Sequence, residues 1–263
     1  MASSFNLNAY GAMFRVKAAY SFEVGGLLVR MYAFMRTIGT VSMLTLSGYS
    51  YFMAGLAASV VAFALFLISP RVSKKIDERG QGAIVLPATC IALLGCAILL
   101  VTVLLHLPIA LCFVGAVLMG FLPTPQALTR ARWVYLVKSG RLGDDAPELK
   151  TVFSYEGVMD DIVFMVSPAL SIALASSIHP IAGMGCGFIC CVVGTLLLVS
   201  SKDTEPVPGW EKKLANREGA APAERAEGVA SAELGAAVEG PGSGSVPAAG
   251  PDVACTASTD AVD

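Results

Sequence analysis

Ser69-Pro70-Arg71-Val72-Ser73-Lys74-Lys75-Ile76-Asp77-Glu78-Arg79-Gly80-Gln81-Gly82 is a dense charged island between two runs that carry no charge, residues 51–69 and 83–105. Each flanking run is long enough to cross a hydrocarbon core about 30 Å thick, which takes about 20 helical residues. A charged hinge between two such runs belongs at a membrane surface. The rest of the chain is oriented from it.

Six stretches have the required length and apolarity: 27–47, 51–70, 82–105, 108–128, 157–178 and 181–201. The turns after the first, third and fifth are short, so those pairs form antiparallel hairpins. The connections 71–81 and 129–156 are longer and charged. In lipid every backbone amide must be bonded internally, and the runs are too long and too unalternating for barrel strands. The expected fold is an all-α membrane protein, a six transmembrane helix bundle over 27–201 preceded by a cytoplasmic segment at 1–26.

Basic loops stay in the cytoplasm. Arg15 and Lys17 precede the first span. Arg71, Lys74, Lys75 and Arg79 lie between the second and third, and Arg130, Arg132, Lys138, Arg141 and Lys150 between the fourth and fifth. Five more follow the sixth span, whereas the short turns hold only His106 and His179. Both termini are therefore expected inside, in the cell membrane.

Hydrophobic residues make up 55% of the 263-residue chain, and its net charge of -2 hides a split. Residues 1–201 carry 13 Lys/Arg against 9 Asp/Glu, and residues 202–263 carry 5 against 11. That acidic tail is rich in Ala, Gly, Pro and Ser, and Trp210 is its only aromatic. It has too little large apolar surface to offset chain entropy and is expected to be a disordered cytoplasmic tail. Six of the seven cysteines sit in apolar runs as small hydrophobes, and Cys186, Cys190 and Cys191 lack a second ligand pair at metal spacing. No Gly-x-Ser-x-Gly elbow, Walker A loop or His-Glu-x-x-His is present. The chain reads as neither an enzyme nor a nucleic-acid binder, with no cofactor and no metal expected.

Ionisable residues inside a span are costly and carry the functional hint. Arg36 lies 11 residues from the outer end near Ser47, about 16 Å along a helix. Either it faces a bundle interior or wet cavity, or the first span begins at Thr37 and leaves it at the interface. Arg30 sits near the inner end of the first span, at a depth matching Asp160 and Asp161 in the fifth. These groups either pair or reach the headgroups. Pro123 and Pro125 should distort the inner half of the fourth span and let Thr124 and Gln126 line a cavity, unless the helix simply ends near Leu122. Pro168 marks a similar kink candidate, and the small-residue stripe Gly183, Gly187, Cys191 reads as helix packing.

The island, with Asp77 and Gly80 at their expected places between the second and third of six spans, resembles the loop motif of major facilitator superfamily (MFS) transporters. Ser73, Glu78, Gln81 and Gly82 depart from it. The segment Arg30 through Gly55, the stretch from Gly120 through Pro125 to Arg130-Ala131-Arg132-Trp133, and Phe153 through Asp161 into Ser167-Pro168 look like successive parts of such permeases. The resemblance covers residues 15–201. It implies secondary transport of a small molecule by rocking two six-helix halves about a central site. It assigns Asp77 to an inner-gate latch with Arg79, Arg130 or Arg132 as partners, and it nominates Tyr32, Arg36 and Gln126 for the cavity. The family has twelve spans. A truncated or split product, a half that pairs with a copy or second six-helix partner, and a six-span scaffold that presents its tail to other proteins all remain open.

The orientation is tested by cysteine labelling in intact cells. Cys255 is expected to react with a membrane-impermeant maleimide only after the membrane is permeabilised; labelling from outside overturns the orientation.

Overall fold

A computed structural model describes residues 17–142, 146–207 and 209–210 of the chain. The bulk of the tail, residues 211–263, lies outside them, as do residues 1–16 of the N-terminal segment. Every regular element among the described residues is helical: α1 (Lys17–Leu46), α2 (Tyr51–Arg79), α3 (Gln81–Leu104), α4 (Ala110–Leu118) continued by a 3-10 turn (Met119–Phe121), α5 (Pro125–Lys138), α6 (Leu149–Ser177) and α7 (Ala182–Ser200). Six segments are long and apolar enough to cross a membrane, with α4 and α5 together forming the fourth. Large apolar side chains such as Phe63, Phe66, Phe164, Met165 and Ile189 face outward, which suits contact with a bilayer.

Alternating direction gathers the N-terminus of α1, the α2/α3 and α5/α6 connections and the C-terminus of α7 at one end, here called the basic end. The other end holds the turns at 47–50, 105–109 and 178–181. Gly48 and His106 take positive φ there, at 87° and 51°.

The charged island is not a loop. α2 runs through Pro70 to Arg79, and a single residue, Gly80, separates it from α3. Val72 and Ile76, four residues apart and hence on one face, are buried against Val85, Ala88, Leu128 and Leu198. The charges around them point outward, with Lys74 and Glu78 paired at 3.9 Å. Gly80 sits at φ 94°, ψ 158°, a conformation that a residue with a Cβ rarely adopts. The reversal depends on that residue type.

Three other boundaries also lie further out than the apolar runs indicate. α1 begins at Lys17 rather than 27, α6 at Leu149 rather than 157, and the fourth span continues to Lys138 rather than 128. At 30 residues α1 is about 45 Å long, well beyond the hydrocarbon core. Charged residues in these overhanging turns either find partners within the bundle, as Glu23, Arg130, Arg132 and Glu156 do, or stand exposed, as Lys138 and Lys150 do, so they lie within the helices. The fourth span does break where its prolines stand: Leu122 and Thr124 are extended, and α5 restarts with Pro125 in its first turn, where a missing N–H costs nothing. α2 and α6 continue through Pro70 and Pro168. The beginning of the tail is ordered, since Lys202–Thr204 forms a 3-10 turn with Thr204 buried.

α1 is the central helix, with its most extensive packing against α7 and further contact with α6, α2 and α5. It meets α7 at a glycine pair: a Cβ on Gly25 would lie 2.8 Å from the Gly194 carbonyl oxygen, and one on Gly194 would lie 2.6 Å from that of Gly25. Gly95 and Gly115 join α3 to α4 in the same way. Gly183, Gly187 and Cys191 are buried, as a packing stripe should be. Gly194→Leu is expected to destabilise the detergent-solubilised protein by about 1–3 kcal/mol or more through overpacking. Gly55→Ala, where nothing lies within 4 Å, should be neutral or stabilise by up to about 1 kcal/mol through helix propensity. Thermal unfolding of the two variants checks the contrast.

Candidate functional site

Charged side chains gather inside the basic end. Arg30 of α1 is 1% exposed and is paired with Glu156 of α6, which is fully buried. Glu156 and Asp160 stand four residues apart on one face of α6, and Arg30 reaches both. Its Nη2 donates to Glu156 Oε2 and to Thr129 Oγ1, while its Nε lies 3.4 Å from Asp160 Oδ1. Thr129 of α5 also donates to Glu156 Oε2 at 3.1 Å. Gly26 makes room for that threonine, because a Cβ there would fall 2.3 Å from Thr129 Cγ2. Arg130 closes the cluster from the surface, donating to Asp160 Oδ2 at 3.1 Å. On the other side Trp133 Nε1 donates to Glu23 Oε1, and Trp133 packs edge-on against Phe22 with centroids 5.5 Å apart. One cluster thus fastens α1, α5 and α6.

A second cluster fastens α3, α5 and the start of the tail. Arg132 Nε donates to Gln81 Oε1 at 2.8 Å, and its Nη1 donates to the Ser201 carbonyl at 2.9 Å and to Thr204 Oγ1 at 3.0 Å. Gln81 Nε2 donates on to the Leu128 carbonyl, Gly82 N–H donates to Glu205, and Arg141 donates to the Asp203 carbonyl at 2.7 Å. Gln81, a departure from the MFS motif, is here the acceptor that a buried arginine requires.

An open-sided cavity of about 390 Å3 lies on the flank of the bundle, lined by Arg36 of α1, by Leu65, Phe66, Ser69, Pro70 and Ser73 of α2, and by Thr124 at the break in the fourth span, with Phe66, Pro70 and Thr124 exposed at its rim. Ser69 and Thr124 hydroxyls stand 3.2 Å apart across it. Arg36 Nε and Nη1 are buried without a hydrogen-bond partner among the described residues. Ten residues separate Arg36 from the end of α1 at Leu46, about 15 Å of helix. The Nε and Nη1 groups of this guanidinium are donors without an acceptor, and oxyanions supply acceptors of that kind.

The other sequence-nominated residues divide. Arg30, Asp160, Arg130 and Arg132 enter buried networks. Asp160 is brought to Arg30 and Arg130, whereas its neighbour Asp161 points away and is exposed. Asp77 and Arg79 are also exposed and form no ion pair among the described residues. The expected partners of Asp77 are engaged elsewhere, Arg130 with Asp160 and Arg132 with Gln81. Tyr32 is fully buried behind Gly187, its hydroxyl beside the Cys96 thiol, and it does not line the Arg36 cavity. Gln126 is half-buried and also lies off that lining. Sequence reasoning passed over Glu23, Thr129 and Glu156. The signal was helical spacing: Glu23 is two turns from Arg30, and Glu156 is one turn from Asp160.

Comparison of the chain with protein families, curated proteins and solved structures returns no match.

Arg132→Met is expected to free residues 201–205 and speed amide hydrogen exchange there. Unchanged protection in that segment would show that Arg132 does not hold it. Asp77→Asn should leave stability within about 0.5 kcal/mol of the starting protein, as exposed substitutions do.

Proposed function

We propose that the six spans form one half of an MFS-type secondary transporter, with a small oxyanion as its substrate and both termini on the cytoplasmic side. The observation that carries this reading is Arg36, whose buried Nε and Nη1 lack acceptors at the wall of a cavity. A guanidinium left without acceptors in a membrane interior is costly unless something else binds it. A carboxylate or phosphate oxygen fills that role, with Ser69, Ser73 and Thr124 as further donors. Supporting this, the cavity is walled by a discontinuous span, the kind of element that lines binding sites in secondary transporters. The distribution of basic residues supports the cytoplasmic placement of the termini. Transport by rocking requires a second six-helix unit opposite this cavity, supplied by a copy of the chain or by a different partner.

The test is uptake into proteoliposomes containing the full chain, assayed against a panel of small carboxylates and phosphates. At least one anion should be taken up, and Arg36→Ala should weaken its apparent affinity about 10- to 100-fold, the equivalent of losing charge-assisted hydrogen bonds. Arg36→Lys should retain part of the activity, with insertion of both variants unchanged. Uptake of an anion that Arg36→Ala leaves intact, or no uptake of any panel member by folded protein, contradicts the proposal.

A further inference from the structure

Among the described residues, the charges gathered at the basic end do not balance. Glu23, Glu156 and Asp160 carry three carboxyl groups, while the cations in ion-pair contact with this group among the described residues are Arg30 and Arg130. Arg132 is near, with its guanidinium 5.9 Å above the Phe22 ring, but it is spent on Gln81, Ser201 and Thr204 and faces Glu205. Among the described residues, the polar and titratable groups facing the cluster are Glu23 and Arg30 from α1, Thr129, Arg130 and Trp133 from α5, and Tyr155, Glu156 and Asp160 from α6, with Asp161 beyond. α7 presents Gly194, Leu197 and Leu198 to this part of α1. An uncompensated negative charge in such surroundings is strongly disfavoured.

The geometry shows where the balance is restored. The Glu23 and Glu156 side chains face each other between α1 and α6, where Glu23 packs beside Tyr155 and Met159. Two carboxylates have no hydrogen to place between them, so a bond there requires one to be a carboxylic acid. Glu156 Oε2 already accepts from Arg30 and Thr129, while its fully buried Oε1 has no donor among the described residues. Glu23 Oε1 accepts from Trp133, which leaves its second oxygen to carry a hydrogen.

We infer that Glu23 and Glu156 form a proton-binding site in which a carboxyl proton on Glu23 is donated to the Glu156 carboxylate, closing α1 onto α6 at the basic end. Glu23 also lines a cavity of about 190 Å3 with Tyr20, Trp133, Tyr155 and Met159, room enough for water, whereas Glu156 is sealed from it. The proton therefore exchanges through Glu23: its O–H bond breaks, the proton passes to water in the cavity, and both carboxylates are left ionised and mutually repelling. This site stands apart from Arg36 and does not depend on the transport reading.

Infrared spectroscopy of the full chain in nanodiscs tests it. At neutral pH the protein should show a protonated-carboxyl C=O band that shifts in D2O and disappears on titration to alkaline pH. Glu23→Gln removes the acid and should abolish the band. Glu156→Gln brings the cluster to two carboxylates and two guanidiniums, so Glu23 ionises and the band is again lost; Asp161→Asn should retain it. Folded wild-type protein without such a band at neutral pH, or a band that survives either Gln variant, overturns the inference. The wild-type titration decides the matter even if a Gln variant fails to fold.

Discussion

The ion pair between Arg30 and Glu156 is the constraint on which the rest of the bundle depends. A guanidinium that is 1% exposed and a carboxylate that is fully buried are each intolerable alone near a hydrocarbon core. Together they require α1, α5 and α6 to meet at one depth, because Thr129 and Asp160 complete the coordination. That requirement explains the small residues around it. Gly26 clears the approach of Thr129, and one residue away Gly25 lets α7 close on the other side of α1. The central helix can therefore be wrapped by its neighbours at the end where it carries charge.

Arg30 and Arg36 occupy the same helix six residues apart, and the fold treats them oppositely. Arg30 is supplied with Glu156, Asp160 and Thr129, whereas Arg36 receives no acceptor for its Nε and Nη1. An account based on stability alone explains the first and not the second. The unpaired arginine stands where α2 and the broken fourth span leave an opening, so its charge is directed at a space and not at a protein group. Structural charge at the basic end and unpaired charge further in are separate features of one helix. Arg132 extends the structural group by holding the start of the tail against α3 and α5.

Much of this architecture was legible in the sequence, for a plain reason. Runs such as 51–69 and 83–105 are uncharged over more than the width of a bilayer core, and only helices can use them. The ends are less legible because a charged residue reads as the edge of an apolar span. Arg71 to Arg79 continue α2, Glu23 lies inside α1 and Glu156 inside α6, since charge at these levels either faces outward or finds a partner within the bundle. The meeting of Arg30 with Asp160 was readable from matched depth. The larger share taken by Glu156 is not, because residue 156 falls in the charged connection 129–156 between apolar runs. Asp77 shows the converse: a motif position suggested a latch, yet the residue stands exposed at the end of α2 while its nominated partners are engaged elsewhere. Motif position does not report which side chains are already satisfied.

The most direct measurement is a double-mutant cycle between Arg30 and Glu156, read as unfolding free energy in mixed micelles. Arg30→Met should cost about 3–5 kcal/mol, because it leaves the buried Glu156 carboxylate without its cation, and Glu156→Leu about 1–3 kcal/mol, because Arg30 loses its nearest acceptor but keeps Asp160. The double variant should regain most of that loss, giving strongly non-additive energies. Additive effects, or single losses below about 1 kcal/mol, would contradict the claim that this pair organises the bundle.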